Sequence, residues 1–252
     1  MRPAIACLLG VIVALAAPGA ARAGRSRFAW LYGTELAPER GVELESWIIQ
    51  QNAKGDARTR ETDIWWGIVA ALSSHLEIAI PIELEYHDDR DGAPPQTQLV
   101  RFGGELRWRP QSPDPIDAGP LTGLFRFAVK RLVQEPDGVQ LEIDAVASYQ
   151  AGDVLAVIDA GAIEEHGGGL DIFQVRPGAG VSYRLGGSAR LGLELYGEIA
   201  VNHRDAEASW MVAGPSFSVT SGRLWLAAAI GLGVADFAKI RDAGRITLGV
   251  AF

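Results

Sequence analysis

The stretch LEIAIPIELEY, residues 76–86, alternates apolar and charged side chains. In an extended strand successive side chains point to opposite faces, so this stretch has one apolar face and one acidic face. The same alternation continues in 97–109 and 190–201. These runs of about 10 to 13 residues match a tilted strand that crosses a bilayer, whereas strands of soluble proteins cluster near five or six residues. The pattern therefore favours a membrane-spanning barrel over a water-soluble β-sandwich, which would show the same alternation.

The rest of the chain continues this pattern. From the alternation we predict an all-β, transmembrane antiparallel up-and-down β-barrel over residues 41–252. Bacterial single-chain barrels have an even number of strands, and the count here is even. Twelve strands are expected, near 41–52, 61–72, 76–86, 97–109, 121–133, 139–149, 153–163, 170–184, 189–201, 207–219, 223–234 and 244–252. The register of 153–163 and 207–219 is open, because both faces of these two segments are largely apolar.

The connections alternate between two kinds. Short turns fall at 73–75, 151–152, 185–188 and 220–222, and longer polar loops at 53–60, 87–96, 134–138, 164–169, 202–206 and 235–243. Short periplasmic turns and longer external loops are typical of outer-membrane barrels. The proline-rich 110–120 is the exception, because it is long but occupies a periplasmic position. Aromatic residues prefer the membrane interface, and four end strands on the predicted periplasmic side: Trp108, Tyr149, Tyr183 and Phe252.

The first 23 residues have the features of a secretory signal peptide. Arg2 precedes an apolar core, Ile5 to Ala17, that is too short to span a bilayer as a helix. Small residues at Ala21 and Ala23 predict cleavage before Gly24. Residues 24–40 are then expected to form a periplasmic N-terminal segment. We expect export through the periplasm to the outer membrane of a Gram-negative bacterium.

Composition excludes several function classes. Without the signal peptide, 21 Lys and Arg stand against 31 Asp and Glu, which argues against binding nucleic acid. The only cysteine, Cys7, lies in the signal peptide, so the mature chain has no thiol for a disulfide, metal site or nucleophile. We predict no cofactor and no metal site.

The last eight residues, RITLGVAF, place Ile246, Leu248, Val250 and the terminal Phe252 on one face. This pattern resembles the closing strand of bacterial outer-membrane proteins, and the resemblance implies recognition by the barrel-assembly machinery. The stretch 32–41, followed by Glu43, Glu45 and Trp47, is similar to the opening of uncharacterised outer-membrane families. That resemblance implies a barrel and no chemistry. We expect outer-membrane lipid and lipopolysaccharide as partners of the barrel.

If the apolar face meets lipid, the charged face lines the lumen. The acids placed there are Glu43, Glu45, Glu77, Glu83, Glu85, Glu105, Glu142, Asp144, Asp159, Glu194 and Glu198. The bases are Arg101, Arg107, Arg109, Arg126, Lys130, Arg176, Arg184, Arg190, Arg223 and Arg245. Opposite charges recur on neighbouring strands: Glu83 and Glu85 beside Arg101, Glu105 beside Arg126, Arg126 and Lys130 beside Glu142 and Asp144, and Arg176 beside Glu194 and Glu198.

These residues predict a porin or small-solute channel, because lumen residues set selectivity. The residues assigned to lumen lining and selectivity are Glu83, Glu85, Arg101, Glu105, Arg107, Arg126, Lys130, Glu142, Asp144, Arg176, Glu194 and Glu198. The alternative is a structural barrel whose lumen is filled by salt bridges, since twelve strands lie between a filled eight-stranded barrel and an open 16-stranded one.

A barrel hydrolase is the third hypothesis. His87, His166 and His203 are assigned to acidic external loops, and His75 to a turn that also holds Ser73 and Ser74. No nucleophile motif accompanies any of them, so we predict that the protein is not an enzyme.

Overall fold

A computed structural model describes residues 26–53, 60–87, 96–111, 120–201, 209–234 and 240–252. Every regular element in these ranges is a β-strand, and none of them contains a helix long and apolar enough to cross a membrane. The twelve strands are β1 (Val42–Ala53), β2 (Arg60–Ala71), β3 (Leu76–His87), β4 (Gln96–Trp108), β5 (Leu121–Leu132), β6 (Val139–Ala151), β7 (Val154–Gly167), β8 (Leu170–Gly186), β9 (Ala189–Ala200), β10 (Trp210–Ser221), β11 (Leu224–Gly233) and β12 (Ile240–Ala251).

The strands form one closed, up-and-down barrel. Each strand pairs antiparallel with its sequence neighbours, and β1 pairs with β12 from Glu43↔Ala251 onward. Closure leaves no sheet edge with unpaired backbone groups, which is the condition for strands to cross a bilayer. The predicted fold class and the predicted number of strands are confirmed.

The polarity of the barrel is inverted relative to a soluble protein. Large apolar side chains point outward and are accessible, such as Ile230 at 65% and Trp66 at 54% of their surface. Charged side chains point inward and are buried, such as Arg126 at 1%. A soluble sandwich would bury the apolar rows between two sheets, so this arrangement fits a lipid-facing barrel instead.

The two ends of the barrel differ. One end, the turn end, carries the short connections 72–75, 152–153, 187–188 and 222–223, together with the start of β1 and the end of β12. The opposite end is called the loop end. The side chains of Trp108, Tyr149, Tyr183 and Phe252 all point outward at the turn end. The predicted loops at 53–60, 87–96, 110–120, 202–206 and 235–243 fall largely outside the described residues.

The prediction of a longer loop at 164–169 was wrong. β7 continues to Gly167 and β8 begins at Leu170, so that only Gly168 and Gly169 connect them. The backbone φ angles of Gly167, Gly168 and Gly169 are 112°, 62° and 92°. Residues with a Cβ atom rarely adopt these positive φ angles. Because glycine adopts them readily, the three consecutive glycines allow a tight hairpin here.

The N-terminal segment lies inside the barrel. Phe28, Ala29, Trp30, Leu31 and Leu36 are buried and belong to one apolar cluster with residues of the strands. We call residues 26–37 the luminal segment. A turn at Pro38–Gly41, in which Gly41 N donates to the Pro38 carbonyl at 2.7 Å, connects it to β1. The expectation of a periplasmic segment at 24–40 did not include this insertion into the lumen.

Candidate functional site

The lumen has two chemically different walls. The inner face of β3–β8, here called the charged wall, carries a network of ion pairs. The inner face of β10–β12, here called the small-residue wall, consists mainly of Val212, Ser216, Ser218, Ala227, Ala229, Ala243 and Thr247. The luminal segment lies between the two walls.

Arg126 on β5 is the centre of the charged wall. Its guanidinium meets Glu105 at 2.6 Å, Glu142 at 2.7 Å and Asp144 at 2.7 Å. All three carboxylates lie on the adjacent strands β4 and β6, and all are almost completely buried. Paired charges of this kind hold each other in place, because removing one would leave its buried partners with less compensation.

The network extends from Arg126 in both directions. Toward the turn end, Arg107 meets Glu45, Glu77 and Glu105 at 3.1, 2.9 and 2.5 Å. Toward the loop end, Lys130 pairs with Glu142 and, at 2.5 Å, with Glu83.

At the loop end of the network, Glu83 also accepts a hydrogen bond from Arg101 at 2.8 Å. The Arg101 side chain retains 35% of its accessible surface, far more than Arg126. Arg101 is therefore a charge that meets water, whereas Arg126 is enclosed.

Arg176 on β8 does not pair as predicted. The sequence placed it beside Glu194 and Glu198 on β9, but its guanidinium meets Asp144 at 2.7 Å and Glu142 at 3.0 Å. The reason is Gly161 on β7, which lies between Arg176 and Asp144 in the strand register. Because glycine has no side chain, Arg176 reaches across β7 to β6, and a Cβ at this position would collide with the Asp144 carboxylate.

Glu194 binds the luminal segment instead. One carboxylate oxygen accepts a hydrogen bond from Ala29 N at 2.8 Å, and the other accepts from Trp30 N at 2.7 Å and Leu31 N at 3.3 Å. Two further acids act in the same way. Asp159 accepts from Tyr32 N at 3.3 Å, and Glu77 accepts from Ala37 N at 2.7 Å.

The carbonyls of the luminal segment are bound by donors of the strands. Arg245 donates to the Trp30 carbonyl at 3.2 Å and Ser218 to the Arg27 carbonyl at 3.2 Å. The luminal segment thus adds no strand to the barrel; inward-pointing side chains bind its backbone.

Aromatic side chains anchor the luminal segment. The Trp30 ring stacks on Tyr196 at a centroid distance of 6.2 Å and meets the edge of Trp210 at 5.8 Å. The ring of Tyr32 faces the charged wall, with the Arg126 guanidinium 4.5 Å from its centroid. Burial raises the pKa of Tyr32 to about 12, so the phenol stays neutral in the lumen.

The luminal segment makes a U-turn. Arg27 bonds Gln150, one residue before the end of β6 at the turn end, while residues 29–32 reach acids midway along β7 and β9. Arg27 Nε also meets the Glu35 carboxylate at 2.9 Å, which joins the two arms. Both ends of the luminal segment therefore lie toward the turn end.

A cluster of three hydroxyls fixes the second arm. Thr34 Oγ1 lies 2.6 Å from Ser148 Oγ and 2.7 Å from Thr122 Oγ1, and the last two lie 2.7 Å apart. Between this segment and the strands remains a cavity of about 60 Å³, lined by Tyr32, Glu45 and Arg107 among others. That volume holds a few water molecules.

The loop end of the lumen is acidic. Glu198 accepts hydrogen bonds from Tyr196 at 3.0 Å and Trp210 at 3.1 Å, and Glu85 faces Asp63 across the strand pair. The sequence analysis missed Asp63 because it did not predict which side chains of the strand at 61–72 point into the lumen. It missed Glu165, which accepts from Gln140 at 2.9 Å, because residue 165 was placed in a loop.

The histidines do not come together in the described part of the chain. The ring of His75 contacts the Arg109 carbonyl at 2.9 Å, and His166 lies on β7 opposite Asp171. The side chain of His87 and all of His203 lie outside the described residues. Among the residues that are described, no group of three or more His, Cys, Asp or Glu could hold a metal ion.

Solved structures of outer-membrane proteins have a similar fold. The chain is similar to an outer membrane channel from Pseudomonas putida F1, with a TM-score of 0.57, 10% identity and coverage of 88% of this chain and 99% of that one. It is also similar to the translocator domain of the autotransporter NalP from Neisseria meningitidis (TM-score 0.52, 16% identity, coverage 84% and 89%) and to the NanC porin (0.52, 10%, coverage 82% and 98%). No protein-family model and no curated protein sequence matches the chain.

The closed barrel, its inverted polarity and these likenesses define the class. The chain has the porin-like β-barrel fold of outer-membrane proteins. At these identities the likenesses show the fold alone.

Proposed function

We propose that this protein is an outer-membrane channel for small polar solutes, and that the luminal segment closes it in this structure. The proposal rests mainly on how the luminal segment is held. It forms no strand with the barrel, and inward-pointing side chains bind it through hydrogen bonds and apolar contacts. Such contacts are reversible without breaking any backbone pairing of the wall.

The small-residue wall supports the same proposal. Phe28, Trp30 and Leu31 share one apolar cluster with Val212, Ala227, Ala229 and Ala243 of that wall, and the luminal segment fills the space beside these small side chains. When the luminal segment leaves, this space becomes a passage with the charged wall on its other side. Twelve strands enclose more room than the eight-stranded barrels that side chains alone can fill.

The location follows from the same reasoning. The accessible apolar rows require lipid around the barrel, and the signal peptide at 1–23 would direct export through the periplasm. We expect outer-membrane lipid and lipopolysaccharide to surround the barrel. We expect the barrel-assembly machinery to recognise Ile246, Leu248, Val250 and Phe252, with their apolar side chains in an alternating row.

A disulfide lock tests the channel directly. The chain from Gly24 onward has no cysteine, and the hydroxyls of Thr34 and Ser148 lie 2.6 Å apart. The double variant Thr34→Cys/Ser148→Cys should therefore join the luminal segment to β6. In planar bilayers we expect discrete conductance steps from the wild type and the reduced variant, and none from the oxidised variant.

The matched control is Thr122→Cys/Ser148→Cys. These positions are partners in the β5–β6 register, so this disulfide lies within the wall and leaves the luminal segment free. It should conduct when oxidised. If the oxidised Thr34 variant conducts like the wild type, the luminal segment is not the gate.

The second candidate is a structural barrel with a filled, salt-bridged lumen. The enclosure of Arg126 with its three carboxylates favours it, because these charges do not meet water in this structure. Absence of conductance from both the wild type and a variant with a weakened luminal segment would support this candidate and refute the channel.

A further inference from the structure

We infer that the lumen is a binding site for an extended peptide with aromatic side chains, and that the luminal segment is its resident occupant. This inference rests on the proposed function, because the site becomes available only when the luminal segment is displaced. It names the class of ligand that the open lumen would then accept.

The backbone contacts have the chemistry of peptide recognition. Glu194 accepts hydrogen bonds from three consecutive N–H groups, at residues 29, 30 and 31, and Asp159 accepts from the next one. Arg245 and Ser218 donate to carbonyls of the same stretch. Backbone groups are common to all peptides, so these contacts suit any extended chain that follows the same path.

The side-chain contacts select aromatic residues. Phe28, Trp30 and Tyr32 alternate along the luminal segment, and each has its own place in the lumen. Trp30 lies against Tyr196 and Trp210, and Tyr32 lies beneath the Arg126 guanidinium. Phe28 lies over Gly180, where an added Cβ would come within 2.9 Å of its ring.

Glu194 distinguishes a ligand site from ordinary wall packing. Its side chain is 2% exposed, and its contacts are the N–H groups of the luminal segment and the Ser216 hydroxyl. The carboxylates around Arg126, by contrast, pair with cations of the wall itself. Displacement of the luminal segment leaves the Arg126 cluster intact but removes the three N–H donors of Glu194. Only the Ser216 hydroxyl stays with the carboxylate, which then needs water or another chain rich in N–H groups.

Peptide binding tests the inference. The probe is a fluorescent synthetic peptide, GRSRFAWLYGTELAPER, that corresponds to residues 24–40. The receptor is the refolded chain from Gly24 in detergent micelles, with Phe28→Ala, Trp30→Ala and Leu31→Ala to weaken its own luminal segment. Fluorescence anisotropy should show at least about tenfold tighter binding to this variant than to the wild type, whose resident segment competes.

Two controls define specificity. A peptide that carries Trp30→Ala and Tyr32→Ala should bind the variant at least about tenfold more weakly, because both aromatic contacts are lost. Adding Glu194→Gln to the receptor should also weaken binding by about tenfold or more. Equal affinity of the two peptides would refute the inference. Equal affinity for wild type and variant would also refute it.

Two further variants test where the peptide binds. Gly180→Ala, added to the triple variant, should weaken peptide binding, because the new methyl group would lie where the phenylalanine and leucine of the peptide pack. Oxidised Thr34→Cys/Ser148→Cys should not bind, and reduction should restore binding to the wild-type level. Binding to the oxidised form would place the peptide outside the lumen and overturn the inference.

The outcome is separable from that of the channel proposal. Anisotropy measures binding without any current. Peptide binding without conductance would refute the channel and support the peptide site. Conductance without peptide binding would support the channel and refute the peptide site.

Discussion

Substitution of Trp30 by alanine tests how strongly the luminal segment is held. Trp30 is 2% exposed and lies against two aromatic rings that also contact each other at 5.3 Å. Because Tyr196 and Trp210 support each other, they will not collapse fully into the space that the indole leaves. Trp30→Ala should therefore destabilise the luminal segment in its bound position by about 3–5 kcal/mol, the range for a buried tryptophan replaced by alanine.

This loss affects the luminal segment only while it is bound in the lumen. When the segment is displaced, the indole is in water and its removal costs little. Since each 1.4 kcal/mol is a factor of ten, a loss of about 3 kcal/mol raises the ratio of displaced to seated segment roughly 100-fold. We expect the open fraction of Trp30→Ala in planar bilayers to rise by about that factor, up to full opening.

The control is Trp66→Ala, a substitution of the same kind on the lipid-facing side of β2, where the indole is 54% exposed. Its open fraction should equal that of the wild type. A folded Trp30→Ala variant with an unchanged open fraction would refute the view that these aromatic contacts keep the lumen closed.

Three further predictions concern the walls. Arg126→Met should lower the free energy of unfolding by about 3–5 kcal/mol, because it removes a buried cation that Glu105, Glu142 and Asp144 share. Arg131→Met, near the loop end, should change it by less than about 1 kcal/mol. Denaturant titration in micelles measures both free energies, and equal losses would contradict the assignment. Arg101→Glu should shift the reversal potential under a KCl gradient toward cation selectivity, because Arg101 meets water at the loop end; an unchanged potential would show that ions pass elsewhere. Gly180→Ala should raise the open fraction, because the new methyl group would lie 2.8 Å from Leu31. Gly104→Ala, with open space around its Cβ, should leave the open fraction unchanged. Equal open fractions of the two variants would count against the close packing of Leu31 on Gly180.

The strands could be predicted from sequence because their signal is local. In β3 the alternation of isoleucine with glutamate reports directly which face meets lipid and which meets the lumen. No knowledge of the neighbouring strands is needed. The missed hairpin at Gly167–Gly169 shows where this local reasoning fails, since a run of glycines fits both a long loop and a tight turn.

The luminal segment could not be predicted in the same way. The run Phe28–Tyr32 has aromatic residues at alternate positions, as a strand has, but its hydrogen-bond partners on β7, β9 and β12 lie 127 to 218 residues away. One signal did exist. Residues 207–219 are apolar on both faces, and an apolar inner face in an otherwise charged lumen requires something apolar to cover it.

The pairing of Arg176 failed for a related reason. Neighbouring strands were assumed to supply its partners, but the missing side chain of Gly161 lets the guanidinium reach the second strand away. Pairing rules for adjacent strands describe the positions of Cβ atoms. A long side chain opposite a glycine can extend past the adjacent strand, so these rules do not predict its partner.

The U-turn of the luminal segment gives it a mechanical polarity. Both arms exit at the turn end, so traction applied from that side through Ser26 peels the contacts away in sequence, first those of Arg27 and then those of Phe28 to Tyr32. Pressure from the loop end instead loads all of these contacts together, including the hydrogen bonds to Glu194 and Asp159. A chain anchored in this way yields to a pull from one compartment and resists a push from the other.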